Sequence, residues 1–95
     1  MNMPTKILTL EQFPPVPSPN GRCRIDVITL YLRDLLHAHL NGRRHGINLP
    51  GLGEMAKFFG VPQLDVFDAF QNLRREGYDY SLEGFETPVT FWEKQ

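Results

Sequence analysis

Three histidines, a single cysteine and one pair of aspartates are the residues of this chain from which catalysis or metal binding would have to be assembled. His37 and His39 stand two apart in a helical pattern, so they point to different faces and cannot jointly hold a metal ion. His45 follows in a loop and supplies no third ligand of fixed geometry. Cys23 has no second cysteine to pair with, so it reads as a free thiol, which fits a reducing compartment. Asp65 and Asp68 share a helix face, yet no nucleophile, glycine-rich phosphate loop or metal cluster accompanies them, and they read as a solvated edge rather than an acid–base pair. The expectation is a protein that is not an enzyme and that requires no metal or cofactor.

A second chemistry, contact with a nucleic acid, has more candidates. Arg43 and Arg44 form a basic turn that reads either as a solvated loop or as a phosphate clamp. Gln63, at the start of a helix, is a side chain able to read a base edge, and Lys57, Arg74 and Arg75 are available to phosphates. The totals do not favour this chemistry: ten basic side chains against eleven acidic ones give a net charge of -1. That charge is unevenly placed. Residues 1–60 carry seven basic and four acidic side chains, whereas residues 61–95 carry three basic and seven acidic ones, a net -4 in the half that holds Gln63. Any attraction for phosphate is therefore local.

These residues must be positioned by one small domain, because 95 residues suffice for a single modest core. Residues 1–21 hold five of the eight prolines (Pro4, Pro14, Pro15, Pro17 and Pro19) and form a Pro-rich N-terminal arm that cannot be helical. It reads either as a free tail or as a segment packed on its own subunit or on a partner, since Ile7, Leu8, Leu10 and Phe13 are too apolar for a wholly solvated tail. Residues 22–95 form the domain proper. A helix is expected over 24–40, with Ile25, Ile28, Leu32, Leu35, Leu36 and His39 along one side, and Asn41-Gly42 ending it. Val27, Leu30 and Tyr31 widen its apolar stripe enough to suggest a neighbour from a second subunit.

Residues 47–49 read as a very short strand. Helices are expected over 52–59 and 62–76, joined at Gly60-Val61-Pro62, with Val66, Ala69, Phe70 and Leu73 facing the core. Beyond Gly77 the period changes to two at Tyr78, Tyr80 and Leu82 and again at Val89 and Phe91, which predicts a hairpin. The expected fold class is mainly α with a small β-hairpin: a winged helix-turn-helix of three helices plus a wing. No apolar run approaches the roughly 20 residues of a membrane span, and residues 6–10 are too short for a signal-peptide core. The expected location is cytoplasmic, with no membrane partner.

Leu49-Pro50, Glu54-Met55-Ala56, Phe59-Gly60-Val61, Val66, Ala69-Phe70, Leu73 and Glu76-Gly77-Tyr78 together resemble the winged-helix DNA-binding domain of the GntR-type transcription regulators. The resemblance covers residues 25–92 and consists mostly of core and turn positions. It implies a small transcription regulator that binds duplex DNA as a homodimer; in this chain Gln63 would then lie near the bases, with Arg43, Arg44, Lys57, Arg74 and Arg75 offered to phosphates. At positions where that family carries serine and arginine, this chain has Gly51 and Gly53. Its recognition-helix start is Pro62, Gln63, Leu64 and Asp65, and its wing reads Glu83-Gly84-Phe85-Glu86. A carboxylate facing a phosphate backbone is repelled. The alternative is a protein–protein interaction or dimerisation module without specific DNA binding, whose surface is formed by Phe58, Leu64, Phe67, Phe85 and Tyr31.

Overall fold

A computed structural model describes residues 6–16, 25–40 and 46–94. In chain order these form β1 (Lys6–Ile7), a 3-10 turn (Leu10–Gln12), α1 (Ile25–Leu40), β2 (Ile47–Gly51), α2 (Leu52–Phe59), α3 (Gln63–Arg75), β3 (Tyr78–Ser81) and β4 (Pro88–Glu93). The strands make one mixed sheet in the order β1-β2-β4-β3, with β1 parallel to β2 and the remaining pairs antiparallel. The mainly α winged helix with a small hairpin is thereby corrected. This is an α/β fold of three helices on a four-stranded mixed sheet, in which the hairpin supplies half of the strands. Strand β1 carries no periodic signal because it is two residues long, and it exists only through its pairing with Ile47 and Asn48, 41 residues away.

The core explains the order of the elements. Ile28, Leu32, Leu36 and Leu40 of α1, Met55 of α2, and Val66, Ala69, Phe70 and Leu73 of α3 are all fully buried, and they meet Ile47 and Leu49 of β2 and Val89 and Phe91 of β4. The arm joins this core. Leu8 and Phe13 are buried, and Leu10 and Val16 pack beside them. The free-tail reading therefore fails for residues 6–16, which lie on their own domain. The arm's boundary near residue 21, Cys23 and the cap at Asn41-Gly42 fall outside the described residues.

Two local devices fix the path of the chain. At the end of α2, Gly60 adopts φ 73°, and the Gly60 and Val61 amides both donate to the Ala56 carbonyl, at 2.9 and 3.0 Å. That left-handed residue closes the helix, and glycine adopts it at least cost. Pro62 then stands just before α3 rather than inside its first turn. In β2 the register with β4 shifts between Leu49 and Gly51, a bulge that falls at Pro50, which has no amide to donate to the ladder.

Candidate interaction surface

Helix α3 presents its outer face because its inner one is wholly committed: Val66, Ala69, Phe70 and Leu73 have no exposed surface. Turning outward are Leu64, 72% exposed, and Asp68 one turn later, with Asp65, Phe67 and Gln71 half-buried beside them. Phe85, an aromatic 57% exposed, belongs to the loop between β3 and β4. That loop is tied down at the start of α2, where the Gly53 amide donates to the Phe85 carbonyl at 2.9 Å.

Gly51 and Gly53 are small because this loop lies on them. A β-carbon at Gly51 would come within 3.0 Å of the Phe85 and Glu86 backbone, and one at Gly53 would stand 3.3 Å from both Gln63 Nε2 and Glu86 Oε1. Gln63, Glu86 and the Phe85 backbone thus converge over the first turn of α2. A carboxylate is electrostatically welcome there. The consequence for phosphate binding is direct, since a helix start that could cradle a phosphate already carries a carbonyl and a carboxylate from its own chain.

The described basic candidates do not converge. Lys57 and Gln63 line one shallow depression with Gly60, Val61 and Pro62. Arg74 and Arg75 lie at the opposite end of α3, about 17 Å along the helix axis. There Arg74 Nε donates to Asp79 Oδ1 at 3.0 Å, and its guanidinium carbon lies 4.4 Å from the centre of the Tyr80 ring. Arg75 donates to Asn72 Oδ1 at 2.9 Å, and Asn72 in turn donates to the Thr29 hydroxyl at 3.1 Å, linking α3 to α1. Both arginines therefore have intramolecular partners. Arg43, Arg44 and His45 fall outside the described residues.

Around Asp79 the charges are local. The Tyr80 amide donates to its carboxylate, and that bond, aided by Arg74 and opposed by partial desolvation, holds the Asp79 carboxyl below its ordinary value. Burial raises the Tyr80 hydroxyl above its ordinary value. Asp65, Asp68, Glu83 and Glu86 make no ion pair among the described residues. Likewise, no group of three His, Cys, Asp or Glu side chains able to hold a metal exists among them. No described helix is long and apolar enough to cross a membrane.

Two of the interface candidates contact the arm. Phe58 and Tyr31 belong to an aromatic cluster under the arm. The Phe13 ring meets Phe58 edge-on at 5.5 Å, Tyr31 meets Phe59 at 5.2 Å, and the Tyr31 hydroxyl donates to the Pro14 carbonyl. These rings hold the arm, and Phe58 and Tyr31 both stay half-buried. From the sequence, Gly51 and Gly53 read only as side chains that were missing; the loop that requires them is a tertiary contact. The signal that could have found them is two glycines flanking a helix start where no positive φ is needed. No protein-family model, curated protein or solved structure matches this chain.

Proposed function

We propose that this chain is a cytoplasmic protein–protein interaction module that engages its partner through Leu64, Phe67 and Phe85. The observation that carries this reading is the exposure of Leu64 and Phe85 on two segments that meet at Gly53, amid four carboxylates that no described residue neutralises. Burying one such side chain in a complex yields about 1.5–3 kcal/mol. The carboxylates select a partner with lysine or arginine around its apolar anchor. Asp65, Asp68 and Glu86 would face the phosphates of a duplex presented to α3, and repel them.

Binding of duplex DNA is the second reading, favoured by the shared depression of Lys57 and Gln63. One titration separates the two. A labelled leucine–lysine helical peptide and a labelled mixed-sequence duplex are each titrated at low and moderate salt. The module reading expects the peptide to bind, with affinity falling about tenfold or more in Leu64→Ala and in Phe85→Ala, both of which leave the charge unchanged. Salt-sensitive binding of the duplex, weakened by Lys57→Ala or by the Arg43→Ala/Arg44→Ala pair, would establish the DNA reading instead. Equal peptide affinity in both apolar variants would remove the module reading.

A further inference from the structure

Strand β1 is held to the domain by few contacts at its outer end. It has two paired residues, Lys6 with Ile47 and Ile7 with Asn48; the Leu8 amide donates to the Asn48 carbonyl at 2.9 Å, and Ile7 is 64% exposed. A side-chain hydrogen bond reaches from this strand to α1. Lys6 Nζ lies 2.9 Å from Nδ1 of His39, on the last turn of the helix. An ammonium can only donate, so Nδ1 must be an unprotonated acceptor and the ring neutral, with its proton on Nε2. Protonation of the ring removes the lone pair that Lys6 uses and puts a second cation at hydrogen-bond distance from it.

We propose that Lys6 and His39 form an acid-sensitive latch: with His39 neutral β1 stays docked on β2, and protonation of His39 releases the two-residue strand and uncovers the β2 edge at Ile47 and Asn48. The ring is reachable by solvent, since it lines an open groove of about 340 Å³ between the arm and α1, together with Gln12, Pro14, Tyr31 and Asp34. Among the described residues its charged surroundings are few. From the arm comes Lys6, whose charge disfavours the imidazolium; the 3-10 turn brings uncharged Gln12 to the groove. On α1, Asp34 lies on the same groove and His37 is exposed two residues away. Strand β2 has no charged side chain, and Glu93 of β4 acts on Tyr78.

Burial, and then the Lys6 ammonium, hold His39 below the ordinary imidazole value. The docked state therefore binds fewer protons than the released one. Docking has its full strength above about pH 6.5 and weakens as pH falls through the depressed value. Leu8 and Phe13 are buried in the docked structure and anchor the arm just beyond β1, so the proposed opening is confined to the arm's outer end.

Hydrogen exchange tests the latch on the full chain. Protection factors of the Leu8 amide are compared at about pH 7.5 and about pH 5, with the Phe70 amide in α3 as a control for global opening. The expected result is a three- to tenfold fall in Leu8 protection on acidification, roughly the worth of one partly exposed hydrogen bond, with Phe70 unchanged. His39→Gln retains a neutral acceptor for Lys6 and does not titrate, so its Leu8 protection should be the same at both pH values. Lys6→Met retains the histidine but no donor, and should show low Leu8 protection throughout. A wild-type protein whose Leu8 protection does not change, or a fall that persists in His39→Gln, would overturn the latch.

Discussion

A β-carbon placed on Gly46 would stand 2.3 Å from the carbonyl oxygen of Phe91 and 3.2 Å from its carbonyl carbon. An ordinary carbon–oxygen contact is about 3.3 Å or more, so the Gly46→Ala methyl is about 1 Å too close. The obstacle is backbone. Phe91 lies within β4 and is paired with Ile47 on one side and Tyr80 on the other, while its ring is fully buried against Phe70 and Tyr80. That carbonyl cannot retreat without opening the β2–β4 ladder. Overpacking of this kind costs about 2–3 kcal/mol, a large share of the roughly 5–15 kcal/mol that stabilises a small domain. With a urea m-value of about 1 kcal/mol/M, the unfolding midpoint followed by circular dichroism should fall by about 2 M. Gly84→Ala is the matched control, because its β-carbon meets only the Thr87 hydroxyl, at 3.6 Å. It should remain within about 0.5 kcal/mol of wild type. A Gly46→Ala protein equally close to wild type would refute the contact between residue 46 and Phe91.

Two further outcomes follow from the arm and from the α3–β3 junction. Phe13→Ala removes a buried ring from the cluster with Tyr31 and Phe58 and should cost about 3 kcal/mol, with faster proteolysis within residues 6–16 while α3 stays protected. The Asp79 carboxyl is held low in the folded state, so its contribution is fully present above its ordinary value of 3.8 and lost as pH falls through the depressed folded value. Asp79→Asn should therefore flatten the stability profile below about pH 4 relative to wild type, and an unchanged acid limb in denaturant titrations would count against that assignment.

Which residues could become helix, and which would face inward, was written in the local pattern. The apolar spacing of α1 and α3, and the glycine that closes α2, are properties of a few neighbouring residues and are visible without any partner. The absence of a cysteine pair and the acidic balance of residues 61–95 were legible in the same way. The sheet was not. Pairing β1 with β2 joins residues 41 apart, pairing β2 with β4 joins residues 37 to 44 apart, and a two-residue strand has no periodicity to betray it. The candidate surface divides along the same line. Leu64 and Phe67 could be placed on the outer side of α3 from spacing alone. Only tertiary packing could turn Phe58 and Tyr31 under the arm, occupy Arg74 and Arg75 with partners on their own chain, and bring Phe85 over Gly53. Sequence spacing carries the period of one element; contacts between elements depend on where the chain returns in space, and the edge of β2 that β1 covers, the loop over α2 and the Lys6–His39 contact are all of that second kind.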